Sequence, residues 1–381
     1  MDLKIKGIKK YTLNTFAKAV PSGKEFVREE DFESQQLLLS IMESILKREM
    51  ELDPIFHFYL RNPIVRNQTY LLLGINYISP HFTTGQINSM EEIYHIIRSI
   101  SKTQLMKRIE ESKIKLLNRI KLYLNSDFNI GSIRLKDQLF GNSKYGSDRL
   151  GNLEKIERIH EGMIVQVHEL VSKICNGEAS FYHIHDGLID ISNSNEKPHS
   201  IPDIVNQYVE DNQTASSKKY SILTCAYTFD DAQYLEREII LPIFDGYIGK
   251  FGRSVLFKTP RLDNEHLYHM ASHYDQESNL LFITVLGNKR ELASILKKIQ
   301  FMMETIEFDH MDFSLSKIMF ENEYRFNFDD CNGLISHLMT QKGEYRNPAF
   351  FLEEVQNIRL EAFYKLKDKI RLVGTYMLEG D

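Results

Sequence analysis

An α+β fold of two homologous lobes, each a mostly antiparallel sheet covered on one face by helices, is predicted by three features of the sequence. Runs of strand-like residues are followed by runs of helix-like residues, and the same order then comes round a second time. Individual residues repeat with it: Lys144-Tyr145 answers Glu344-Tyr345, Leu153-Glu154 answers Leu352-Glu353, and Ile159 answers Ile358, an offset near two hundred. Between the copies, residues 192–217 are dense in Ser, Asn, Asp and Pro and read as a linker, with 201–209 as a short helix inside it. The expected boundaries are a first lobe at 1–191, the linker at 192–217 and a second lobe at 218–381.

In the first lobe, residues 3–15 and 16–19 make an opening strand or strand pair, and Pro21-Ser22-Gly23 closes it. Residues 33–50 space Leu37, Ile41 and Ile45, with Leu38, Met42 and Leu46 on the neighbouring row, as one face of a helix capped by Asp31. Strands follow at 56–60 and 69–78. Residues 87–119 are helical, the pattern continues over 114–124, and a further helix runs from Gly131 to the Gly141-Asn142-Ser143 break. A helix over 153–172 and a strand over 179–191 complete the lobe.

The second lobe repeats the plan with a strand at 220–228, a helix at 230–247 and a strand pair at 268–274 and 279–286. The polar turn Asp275-Gln276-Glu277-Ser278 joins that pair as a hairpin. Helix 289–306 carries Leu292, Ile295, Leu296, Ile299, Met303 and Ile306 on one face. Helices at 313–327, 330–340 and 352–370 and a last strand at 371–378 close the chain.

With 381 residues, 26% charged, 42% apolar and a net charge of −6, the chain has the composition of a globular protein of two domains. Its mild acidity and lack of basic clusters argue against nucleic acid. No apolar run approaches the ~20 residues that span a bilayer, and the first residues lack a signal-peptide apolar core. Three distant cysteines, Cys175, Cys225 and Cys331, fit a reducing compartment, and a cytoplasmic location is expected.

The stretch 251–274, FGRSVLFKTPRLDNEHLYHMASHY, concentrates the candidate chemistry. Arg261 and Tyr268 lie seven residues apart across a turn-like segment, at a helix-to-strand corner and at the root of the next strand. A guanidinium fork and a phenol are both donors to a carbonyl oxygen. Ser254, x, Leu256, Phe257, three residues, Arg261, six residues and Tyr268 resembles the second-half signature of the pitrilysin/insulinase-type zinc peptidases, which include mitochondrial processing peptidase. Leu262 stands where that family has an acidic residue and Glu265 where it has a glycine. Tyr145-Gly146 with Gly151 is the matching landmark of the first half. The resemblance spans nearly the whole chain, and it implies that Arg261 and Tyr268 bind substrate backbone near the scissile carbonyl.

Enzymes of that family hold zinc in the first half on an H-x-x-E-H helix with a distant Glu. The corresponding segment here, 33–50, contains no histidine; the first in the chain is His57. No metal and no catalytic residue are therefore expected on this chain alone. His183 and His185, beside Asp186, share a strand face and bind metal only if that face meets another ligand. His266, His269 and His273 would form a metal face on a helix, but a strand at 268–274 splits them.

The resemblance, taken with the missing zinc motif, implies the non-catalytic subunit of a heterodimeric peptidase. The partner would be a zinc-bearing homologous subunit, and this chain would bind and position the peptide. The size and the missing motif look like the zinc-less subunits that mature bacteriocins, which makes a bacteriocin precursor or its leader the expected substrate. The alternative is a structural or assembly protein that keeps the fold and takes no part in proteolysis. A third reading, a self-sufficient metalloenzyme using the unusual histidines, is also open to test.

Overall fold

The computed structural model describes residues 12–21, 32–50, 57–61, 64–65, 68–79, 95, 99–142, 145–174, 180–185, 188–192, 203–215, 219–251, 254–258, 267–329 and 331–380. The described residues fall into two compact units. One draws on 1–120, 151–199 and 327–346, the other on 121–150, 200–326 and 347–381. Each unit thus includes a segment from the other half of the sequence.

In the first unit, β1 (Thr12–Pro21), β2 (His57–Arg61), β3 (Ile64–Val65), β4 (Gln68–Ser79), β5 (Ser180–His185) and β6 (Leu188–Ser192) form a sheet in the order β2-β4-β1-β5-β6, with β3 paired to β4. All its pairings are antiparallel. The strand expected over 179–191 is a hairpin of β5 and β6. Helix α1 (Phe32–Met50) buries Leu37, Leu38, Ile41, Met42 and Ile45, the stripe that its 3.6-residue spacing predicts. Helices α2 (Lys102–Met106) and α3 (Ile109–Leu124) follow, α2 opening on a capping box between Ser101 and Gln104. The chain then enters α4 (Ile130–Leu139), which belongs to the second unit, and returns for α5 (Leu153–Arg158) and α6 (Glu161–Ile174).

The second unit has the sheet order β7-β11-β8-β10-β9, built from β7 (Val209–Ala215), β8 (Ser221–Phe229), β9 (Leu267–Asp275), β10 (Leu280–Gly287) and β11 (Ile370–Gly380). The segment read as a linker is not helical over 203–208, and it supplies β7, a parallel edge strand on β11. Between β8 and β9 lies α7 (Leu241–Asp245), flanked by wide π-type turns at Glu236–Ile240 and Gly246–Lys250, then α8 (Val255–Lys258). Helices α9 (Lys289–Thr305), α10 (His310–Asp329), α11 (Cys331–Thr340), α12 (Pro348–Asn357) and α13 (Glu361–Lys367) precede β11, and α11 belongs to the first unit. Helix α9 buries Leu292, Ile295, Ile299, Met302 and Met303.

The face bearing Ile222, Ala226, Leu280, Phe282 and Tyr376 packs against Leu135, Leu139 and Phe140 at the end of α4. Gly131 makes this fit possible. A Cβ there would lie 2.1 Å from Thr224 Oγ1 and 2.5 Å from Thr224 Cβ, so any larger residue would lift the helix off the strand.

The repeat is visible in detail. The expected helices 153–172 and 352–370 are each broken at one extended residue, Ile159 (φ −61°, ψ 128°) and Ile358 (φ −63°, ψ 131°). In both places a lysine holds the freed carbonyls. Lys113 Nζ donates to Glu157 O (3.4 Å) and Ile159 O (2.9 Å), and Lys317 Nζ donates to Gln356 O (3.0 Å) and Ile358 O (3.3 Å).

Candidate functional site

Strand β9 ends the second sheet and carries Tyr268 near its start. Along β9, Met270, Ser272 and Tyr274 are buried, and simple alternation would send Tyr268 to the same face. It does not go there. The pairing steps from Leu286↔His269 to Gly287↔Leu267, so Tyr268 is the extra residue of a β-bulge. A bulge re-aims a side chain. The Tyr268 ring lies 6.3 Å from that of Tyr220, which packs beside the α4-side core, and 62% of the residue is exposed.

Three further groups meet this corner. Phe128, in the turn before α4, sets its ring edge-on to His269 at 4.7 Å and remains 43% exposed. The Tyr220 O–H donates to the Asp127 carboxylate, a bond that raises the Tyr220 pKa. Four rings and one carboxylate therefore sit together at the root of β9.

The far end of β9 fixes α4. Lys136 Nζ lies 3.0 Å from Asp275 Oδ2, Ser278 Oγ donates to the same oxygen at 2.8 Å, and Arg149 reaches Glu277 at 2.9 Å. Burial opposes ionisation of Asp275, but the Lys136 and Arg149 charges outweigh it and hold the carboxyl at about 2.

The outer edge of β9 is closed over its second half. Asp245, at the end of α7, takes the Ser272 hydroxyl on its backbone oxygen (3.0 Å) and on Oδ1, and its carboxyl also receives the Tyr274 N–H. Gly249 approaches so closely that a Cβ would stand 2.7 Å from Ser272 N. Burial raises the Asp245 pKa. An edge strand capped in this way cannot pair along that half.

Of the residues singled out from sequence, Tyr268 stands at this exposed corner, while Arg261 and His266 lie outside the described residues. His269 is engaged with Phe128, and His273 is exposed four residues further along β9. His183 and His185 occupy β5, paired with Asp190 and Leu188, and their side chains lie outside the description. Among the described residues no three His, Cys, Asp or Glu gather as metal ligands. Helix α1 does not fit zinc: it has no imidazole or thiolate, and one oxygen of its buried Glu33 already accepts the Asn152 N–H at 2.9 Å. Asp127, Phe128, Tyr220 and Asp245 were not singled out from sequence. Only Asp245, a lone acid in the apolar run LPIFDGYIG, carried a sequence signal.

No family model matches the chain. It is similar to the antilisterial bacteriocin subtilosin biosynthesis protein AlbE of Bacillus subtilis, at 22% identity over 276 residues, covering 71% of this chain and 72% of that protein. The probable inactive metalloprotease YmfF of Bacillus subtilis strain 168 is 22% identical over 299 residues, covering 71% of this chain and 67% of YmfF. Among solved structures, the peptidase M16 inactive domain from Pseudomonas fluorescens superposes with a TM-score of 0.63 at 10% identity, over 97% of this chain and 93% of that one. The chain is pitrilysin-like in fold and AlbE-like in sequence, and its first helix carries no histidine.

Proposed function

We propose that this chain is the non-catalytic, substrate-binding subunit of a cytoplasmic heterodimeric peptidase. A zinc-bearing homologous subunit is its partner, and the second lobe, residues 218–381, is the half that grips substrate. The observation that carries this reading is the bulge at Tyr268. It costs the sheet a regular pair and turns a phenol outward on a terminal strand whose other half is capped by Asp245. Tyr268, together with Arg261, would donate to the carbonyl of an extended peptide and offset charge developing on its oxygen. Zinc on the partner would polarise that carbonyl and activate water. The similarity to AlbE, a protein of subtilosin biosynthesis, supports a bacteriocin precursor or its leader as the peptide.

Cleavage is to be measured with the chain alone, with a zinc-bearing homologue alone, and with the two mixed. Activity only in the mixture is the expected result. Arg261→Ala or Tyr268→Phe in the mixture should lower turnover by about 100- to 1000-fold if each donates to the oxyanion. Full turnover by the zinc-bearing homologue without this chain would overturn the reading.

A further inference from the structure

We infer that the corner around Tyr268 selects a cationic side chain, a guanidinium or an ammonium, on the peptide that this chain binds; the inference rests on the reading of Tyr268 as a peptide contact. Tyr268 and Phe128 are both large, exposed rings, and they are bridged rather than scattered. Tyr268 faces Tyr220, Tyr220 bonds to Asp127, Phe128 follows Asp127 in the chain, and Phe128 meets His269, the residue after Tyr268. The circuit closes on itself.

Its chemistry is one-sided. Ring faces present the negative side of their quadrupole, and the circuit carries the Asp127 carboxylate beside them. An apolar side chain would gain contact area here but would press against Asp127 with nothing to offer it. A cation answers both, stacking on the phenol or phenyl face while its N–H groups reach the carboxylate oxygens. The net charge of −6 adds a weak field of the same sign. Rigidity favours selection over general stickiness, because Lys136 and Arg149 anchor α4 to the far end of the hairpin.

The test uses the full chain and fluorescence anisotropy with short extended peptides that differ only in one central residue, arginine or its neutral isostere citrulline. Arginine should bind about three- to tenfold more tightly, the range for a partly exposed cation–π contact. That preference should vanish in Asp127→Asn and in Phe128→Leu, two independent variants whose folding is checked by circular dichroism. Equal affinity for the two peptides, with binding still lost in Tyr268→Ala, would overturn the inference and leave the peptide reading standing. Binding indifferent to Tyr268 would remove both. A preference for arginine that survives in both Asp127→Asn and Phe128→Leu would place the selection elsewhere and overturn the inference.

Discussion

Lys136 and Asp275 meet 3.0 Å apart in the buried part of the second unit, 139 residues apart in sequence. This pair ties a helix from the first half of the chain to the hairpin turn of the second, and so fixes α4 to the far end of the strand that carries Tyr268. Arg149, in the turn Ser147–Leu150, completes the clamp through Glu277 and approaches Asp275 at 3.7 Å.

Breaking this pair from one side leaves a buried charge. Lys136→Met should cost about 3 kcal/mol in urea unfolding of the second unit, the lower end for an orphaned buried ion because Arg149 remains nearby. Adding Asp275→Leu should recover more than half of the loss. If the double variant is as unstable as the sum of the single ones, the two side chains are not coupled.

Acid should act on the two units in different pH windows. Asp275 has a folded pKa of about 2 against an unfolded value near 3.9, so its stabilisation is full above about pH 5 and is lost as pH falls to 2, worth about 2–3 kcal/mol. Glu277, raised by burial, runs with the opposite sign and at higher pH: stability rises as pH falls toward the free glutamate range, before Asp275 titrates. In the first unit, burial pushes His337 down to about 4. The unfolded chain takes up that proton first, near pH 6.5, so stability is full above that value and falls by about 3 kcal/mol toward pH 4. Hydrogen exchange followed separately on α11 and on β10 should show α11 losing protection first. His337→Phe should flatten the α11 profile alone, and an unchanged profile in that variant would rule out the assignment.

Much of this fold was legible because it rests on periodicity. The α1 and α9 stripes, the β9–β10 hairpin and the offset of two hundred were all readable from apolar spacing and turn residues. The helix breaks at Ile159 and Ile358 were not, because the lysine that satisfies the freed carbonyls at each lies 46 or 41 residues away in sequence, which no local pattern records. Strand β7 was hidden for a related reason. Its sequence, VEDNQTA, is polar enough to read as linker, and only pairing with β11 makes it a strand. At the site, Tyr268 was found through a motif, but its direction was not, since the bulge depends on register with β10. Asp127 and Phe128 come from the other half of the chain and could be joined to Tyr268 only by the fold.

The capped half of β9 yields the last prediction. The Asp245 carboxyl accepts from the Ser272 hydroxyl and from the Tyr274 N–H, a backbone donor on the edge that would otherwise be free to pair with another strand. Asp245→Ala removes the acceptor and should cost about 1–3 kcal/mol for the buried donors left behind. It should also promote self-association, visible as a concentration-dependent rise in sedimentation coefficient. Asp245→Asn keeps an acceptor oxygen while removing a carboxyl whose pKa burial has raised, so it should be near neutral or mildly stabilising at pH 7. Because Tyr268 lies beyond the capped stretch, peptide affinity should hold in Asp245→Asn. A monomeric, fully stable Asp245→Ala would show that the edge is protected by something other than this carboxylate.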